Sequence, residues 1–352
     1  MIRLLLAAGM SLALSLLTTR AVINFLVRHQ WGQPIREEGP QGHQIKAGTP
    51  TMGGVGIVAG AAVGYVLSDI VSDLISGDES SVFTRTGLLV MGAIVGAGLV
   101  GFLDDWLKIR RERNLGLTKR TKTIGLLVVA IAYSVLMVTW TGVHTAIGFT
   151  RYDTPGIDLP SWTWVIWGVV LIYGASNAVN LTDGLDGLAA GSGTLTFAAY
   201  VVIGFFAFRN PDLYDLAHAL DLAVVAAAML GGCLGFLWFN AAPAQIFMGD
   251  TGSLAIGAGL AALALASSTE LLLPIIGGLY VVETASVMLQ VAWFKSTGGR
   301  RLFRMAPIHH HFELLGWPET RVIIRFWMIA GMLTAIGLGL FYADFISLGG
   351  AS

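Results

Sequence analysis

The chain has 352 residues and a formal net charge of −1; 55% of it is hydrophobic, 12% is charged, and its mean hydropathy is +0.72. Soluble domains carry about 25% charged residues, so this composition excludes an ordinary soluble enzyme, and a near-neutral balance gives nucleic acid no electrostatic reason to bind. Cys233 is the single cysteine, which excludes an intrachain disulfide and a cysteine-built metal cluster.

A membrane helix needs about 20 largely apolar residues. Ten stretches meet that requirement, near 2–26, 52–70, 86–104, 123–143, 162–181, 187–208, 217–238, 252–268, 271–294 and 322–346. The first has a basic residue, Arg3, ahead of an apolar run, as a signal peptide would. No small-residue cleavage site follows it and nine further spans do, so it reads as a membrane helix. The 45 glycines suit close-packed membrane helices and show no Gly-X-Y period. The expected fold is therefore an all-α integral membrane protein, one polytopic domain over 1–352 with about ten transmembrane helices in a lipid bilayer.

Ten spans divide the connectors into two sets. The stretches 27–51, 105–122, 182–186, 239–251 and 295–321 hold fifteen of the 21 basic residues. The opposite set holds Arg85, Arg151 and Arg209, with Asp73, Asp78, Glu79, Asp153, Asp158, Asp212, Asp215 and Glu270. The positive-inside rule puts the basic set in the cytoplasm and both termini outside. Trp162, Trp164 and Trp167 crowd one outer edge, as an interfacial aromatic belt does.

In chain order, the first polar motif is Lys46-Ala47-Gly48-Thr49-Pro50-Thr51-Met52-Gly53-Gly54. Pro50 and the glycines shape a loop entering the second span. Lys46 and the threonines, Thr51 among them, suit phosphate or base contacts; a turn opening a helix is the plain alternative. Asp104 and Asp105 end the third span, just before Lys108, and Lys119, Arg120 and Lys122 close the same loop. Adjacent carboxylates raise one another's pKa or recruit a divalent cation, although a helix-end acid also serves as a solvated cap.

Asn180-Leu181-Thr182-Asp183-Gly184-Leu185-Asp186-Gly187-Leu188 follows the fifth span. Asp183 and Asp186 share a face if this stretch is helical, whereas the glycines point to a broken backbone around a protein-lined cavity. Asn240, then Phe247-Met248-Gly249-Asp250-Thr251-Gly252-Ser253, precedes the eighth span. Asp250 either caps that helix or, beside its free N–H groups, serves an anion bridged by a metal. Glu283 and Gln290 lie inside the ninth span, where a carboxylate is costly and functional by default. His309-His310-His311 with Glu313 forms the last cluster. Three consecutive imidazoles cannot easily all ligate one ion, so contact with phosphates suits them better than zinc.

These clusters all fall in or beside the cytoplasmic set, which points to one active site on that face. Acids with a divalent cation, basic residues and a membrane location suggest phosphoryl transfer between a soluble nucleotide and a lipid phosphate.

Taken together, the Lys46 to Gly54, Asp104-Asp105, Asn180 to Leu188, Phe247 to Ser253 and Pro307 to Glu313 motifs resemble the polyprenyl-phosphate N-acetylhexosamine-1-phosphate transferases of the bacterial cell wall. The resemblance runs from about residue 20 to 345. The aspartate motifs are shared across that superfamily; the triple histidine and the Gly-Thr-Pro-Thr-Met-Gly-Gly string match its muramoyl-pentapeptide branch. The resemblance implies transfer of phospho-MurNAc-pentapeptide from UDP-MurNAc-pentapeptide to undecaprenyl phosphate, giving lipid I and UMP for peptidoglycan synthesis. It further implies Mg2+ dependence, a homodimer and a multi-pass place in the bacterial inner membrane.

Carried onto this sequence, it implies that Asp250 ligates Mg2+ and that Asp104 deprotonates the lipid phosphate with Asp105 beside it. It sets Asn180, Asp183 and Asp186 in the nucleotide and diphosphate site, and Lys46, Asn240 and Phe247 on the uridine. Lys108 and Lys122 would neutralise phosphate; His309, His310, His311 and Gln290 would meet the sugar-phosphate end. Direct attack by the lipid phosphate is preferred over an aspartyl-phosphate intermediate, because Asp250 is better used on metal. A sister transferase using UDP-N-acetylglucosamine is disfavoured by the triple histidine. A secondary transporter with Glu283 as its proton site would need acids near the midplane, and these gather at one surface. A scaffold has no use for so many costly aspartates.

Overall fold

The computed structural model describes residues 1–29, 31, 48–76, 83–111 and 116–348. Lys46, one of the expected uridine contacts, lies outside them. Among the described residues the chain is built from helices α1 (Ile2–Arg28), α2 (Gly54–Ser76), α3 (Arg85–Arg110), α4 (Lys119–Leu136), α5 (Ser161–Thr182), α6 (Leu188–Arg209), α7 (Pro211–Tyr214), α8 (Ala219–Asn240), α9 (Gly249–Ala266), α10 (Leu273–Ile276), α11 (Gly278–Ser296), α12 (Ile308–Leu314) and α13 (Glu319–Ser347). Nine of these are long and apolar enough to cross a membrane: α1 to α6, α8, α9 and α13, with α4 extended through Thr141 by one wider turn. The expected ninth span is interrupted. A single turn, α10, stops at Gly277 and the chain restarts as α11, which also carries Glu283 and Lys295.

Local chemistry sets several of the helix starts. The Thr84 side chain accepts from the Gly87 amide at 3.0 Å and caps α3, and Thr118 accepts from the Thr121 amide at 3.2 Å and caps α4. The core is organised around α9, in which every residue from Thr251 to Ala266 is buried. Helices α2, α3 and α5 pack against it. Its composition, mostly Gly, Ala and Leu, lets neighbouring backbones come close. At Gly54 on α2 a Cβ would strike the Gly252 backbone, and at Gly101 on α3 a Cβ would strike the Asp250 carbonyl. These two contacts draw α2 and α3 onto the first turn of α9, where Asp250 sits.

The opposite end of α9 lies about 27 Å away by helical rise. There an antiparallel hairpin that periodicity did not announce, β1 (Ala146–Arg151) with β2 (Thr154–Asp158), lies against the chain leaving α9. Gly148 donates its amide to Glu270 Oε2 at 3.0 Å and accepts from the Leu271 amide at 3.0 Å. At the start of α8, buried Asp221 accepts from the Tyr65 hydroxyl and from the Thr84 amide and hydroxyl, each at 2.7 Å, and so ties α2, α3 and α8 together.

Candidate active site

Three helix ends and three loops meet around Asp250. Asp104 and Asp105 come from the last turns of α3, Lys108 from one turn further, Lys122 from the start of α4 and Asn180 from the end of α5. One oxygen from each of Asp104, Asp105 and Asp250 lies within 4.8 Å of the others. Lys108 threads between them, its Nζ 2.5 Å from Asp104 Oδ2, 3.1 Å from Asp250 Oδ2 and 3.4 Å from Asp105 Oδ1. Lys122 Nζ donates to Asp250 Oδ2 at 2.7 Å. Asn180 Nδ2 donates to Asp250 Oδ1 at 2.7 Å and to Ser253 Oγ at 2.8 Å.

The three acids have different surroundings. Asp105 is buried and acts as a cap delivered from another helix. Its Oδ2 accepts from the Thr251 amide at 2.9 Å and hydroxyl at 2.7 Å, and its Oδ1 accepts from the Asp250 amide at 3.1 Å. Asp104 Oδ1 accepts from the Leu117 amide at 2.7 Å, which fastens the returning chain to α3. Asp250 has the more exposed side chain, with both oxygens facing cationic or amide donors. A carboxylate trio with two ammonium groups in its midst is a donor set for a hard cation and for the phosphate oxygens that cation would bridge. The position of the Lys108 ammonium among the three carboxylates marks where positive charge is favoured.

The 183–187 turn forms one wall. It breaks between α5 and α6, as the glycines suggested, with Gly187 at φ 79°. It is held from several sides. Gly187 donates its amide to Asn240 Oδ1 at 2.9 Å, Ala244 donates to Asp186 Oδ2 at 2.9 Å, and the Asp186 amide donates to Glu319 Oε1 at 3.1 Å. Asn240 also donates to the Ile246 carbonyl at 2.9 Å, so its amide is engaged at both ends by backbone. Asp183, half-buried in this turn, has its carboxyl pushed well above the ordinary range by burial, then by the neighbouring Asp250 and Asp105 charges.

The Gly-Thr-Pro-Thr-Met-Gly-Gly string lies against the start of α9. Phe247 donates its amide to Pro50 O at 2.8 Å, while Gly53 and Gly54 donate to the Phe247 and Met248 carbonyls, each at 2.9 Å. This short ladder fixes the backbone of Phe247, whose side chain is half-exposed, just ahead of α9. Thr51 is buried, and its hydroxyl stands near Gly249 and Asp105.

The three histidines diverge. His309 is fully buried and bonds Glu283 Oε2 through Nδ1 at 3.0 Å. His310 Nδ1 meets Glu313 Oε2 at 2.7 Å, and His311 Nδ1 accepts from the Arg304 amide at 3.1 Å. Gln290 is taken up by the loop before them: Oε1 accepts from the Leu302 and Phe303 amides at 3.1 and 2.8 Å, and Nε2 donates to the Phe303 carbonyl at 3.2 Å. The structure thus joins Asp104, Asp105, Asp250, Lys108, Lys122 and Asn180 by direct contact, with Asp183 close by. It gives Asn240 and Gln290 backbone partners. Sequence reasoning missed Thr251, Ser253 and Glu319. A threonine and a serine in a helix's first turn, and an acid that starts another, look like ordinary capping residues.

Residues 87–268 match the family model described as glycosyl transferase family 4. Across almost its full length the chain is similar to bacterial proteins named phospho-N-acetylmuramoyl-pentapeptide-transferase. The relative from Frankia alni is 50% identical, covering 98% of this chain and 98% of its own. The Rhodococcus jostii protein is 49% identical with the same coverage of both chains, and that of Cutibacterium acnes is 46% identical over 98% of this chain and 99% of its own.

Proposed function

The chain belongs to glycosyl transferase family 4, within its phospho-N-acetylmuramoyl-pentapeptide-transferase relatives, and from that premise we propose that it transfers phospho-MurNAc-pentapeptide from UDP-MurNAc-pentapeptide to undecaprenyl phosphate, giving lipid I and UMP. The observation that carries this reading is the convergence of Asp104, Asp105, Asp250, Lys108 and Lys122 from three helices.

The nucleophile is an oxygen of the lipid phosphate. It forms a bond to the β-phosphorus of the nucleotide sugar as the bond from that phosphorus to the bridging oxygen breaks, and UMP leaves. A phosphate nucleophile needs little activation, so positioning and charge neutralisation dominate. Asp104, paired with Lys108, takes the proton of the lipid phosphate. Lys108 and Lys122 already lie against Asp250 and stabilise charge developing on the diphosphate. Asp105 fixes the first turn of α9 and thereby the direction of Asp250. Asn180 holds Asp250 Oδ1, and the half-exposed Phe247 ring offers a stacking face for the uracil. Asp250 would hold Mg2+, which when bound would neutralise diphosphate charge and orient its oxygens.

The site faces the cytoplasm and, with α10 and α11 together making the tenth crossing, both termini lie outside, a reading supported by fifteen of 21 basic residues falling in the connectors on the site's side. We place the enzyme in the bacterial inner membrane as a homodimer on the resemblance to its family. The test is UMP release by detergent-solubilised protein supplied with UDP-MurNAc-pentapeptide, undecaprenyl phosphate and Mg2+. Release dependent on both substrates is expected, and release from UDP-N-acetylglucosamine instead would move the chain to the sister activity.

A further inference from the structure

Glu283 lies on α11, fully buried, and none of the roles above uses it. A carboxylate in such a place is costly unless paired. Its partner is His309, equally buried, at 3.0 Å. A carboxylate only accepts, so the imidazole proton sits on Nδ1 and the ring presents Nε2 outward. Nε2 has no hydrogen-bond partner of its own, and it rests against Gly184, where a Cβ would collide with it. Gly184 follows Asp183 in the turn that walls the acid cluster. The far side of that turn is held by Asn240, Ala244 and Glu319. The imidazole is therefore the floor of the turn, and the Glu283 carboxyl sets the height and tilt of that floor.

We propose that Glu283 is a positioning residue of the transferase: through His309 it holds the Asp183–Gly184 turn in the geometry that receives the nucleotide half of the substrate. The inference rests on the transferase reading and deepens it. Partners that orient a functional group from behind typically matter by about 10–100-fold when removed.

The experiment measures KM separately for UDP-MurNAc-pentapeptide and undecaprenyl phosphate, with the thermal midpoint in detergent alongside. Glu283→Leu, similar in volume and suited to an apolar site, should raise the nucleotide KM about tenfold. The lipid KM should stay near wild type, and the midpoint should fall only by the cost of leaving the buried Nδ1–H without an acceptor. Glu283→Gln, which keeps an acceptor for Nδ1–H, should restore most of the loss. Glu283→Leu combined with His309→Leu should be no worse than the poorer single variant, because the two act as one unit. An unchanged nucleotide KM in Glu283→Leu overturns the proposal, as does an equal rise in both KM values with a fallen midpoint. Should Glu283→Leu not fold, Gly184→Ala presses on the same ring from the turn; a selective rise in nucleotide KM supports the proposal and an unchanged value overturns it. Wild-type protein that releases no UMP removes the transferase reading, and this inference with it.

Discussion

Asp105 Oδ2 accepts both the amide and the hydroxyl of Thr251, at 2.9 and 2.7 Å, so an acid on α3 caps the first turn of α9, whose Asp250 lies 145 residues further along the chain. The adjacent aspartates thus have different partners: Asp105 caps α9, whereas Asp104 accepts from Leu117 and pairs with Lys108. Asp105→Asn leaves at least one donor of the α9 first turn without an acceptor. It should cost about 1–3 kcal/mol of stability and lower activity as Asp250 loses its alignment. Asp104→Asn keeps an acceptor for Leu117 and should hold the wild-type midpoint. Thermal unfolding of the two variants in the same detergent checks the contrast, and equal midpoints would contradict the division of roles.

Asp104 and Asp250 are tested by activity. Asp104→Asn and Asp250→Asn should each reduce UMP release by about 10²–10⁴-fold while the protein remains monodisperse. Full turnover by both would remove the assigned chemistry.

Chelation tests the cation site. EDTA should abolish turnover and added Mg2+ should restore it. Asp250→Asn should shift the Mg2+ concentration needed for half-maximal rate upward, because Asp250 has the most exposed side chain of the three acids. A magnesium response identical to that of wild type would move the ion elsewhere.

The far end of α9 gives a pH prediction. Burial of the Glu270 carboxyl, partly offset by donation from its own amide and that of Gly148, pushes its pKa from 4.5 up to about 8. The folded state therefore binds this proton more tightly than the unfolded chain does. Its stabilisation is fully present below about pH 4.5 and drains away as pH rises through about 8. The thermal midpoint should fall by about 5 °C between pH 6 and pH 9, and Glu270→Gln, neutral throughout, should flatten that slope. Parallel slopes for the two proteins would show that another group carries the effect.

The ten apolar stretches, the aspartate pairs and the triple histidine are all visible in the sequence, because hydrophobic length and charge cost are local properties. Nine of the spans appear as long apolar helices. The ninth stretch was read from its composition as one span, but its interruption at Gly277, where α10 packs on α13, is not a property of apolar content. The hairpin at Ala146–Arg151 was hidden for a similar reason: its register is held by the segment after α9, distant in sequence.

By itself, then, the sequence determined that this chain lives in a membrane, which residues carry charge there, and, through its motifs, the family to which they belong. Only the tertiary structure decided what each polar group is for. Asp104 and Asp105 are neighbours with nearly identical local sequence, yet one accepts from Leu117 and pairs with Lys108 while the other caps α9, with Gly101 close against the Asp250 backbone. Likewise His309 and Glu283 are 26 residues apart and become a buried pair only when α11 and α12 pack. Hydrogen-bond partners are set by distance and direction in space, and chain order carries neither.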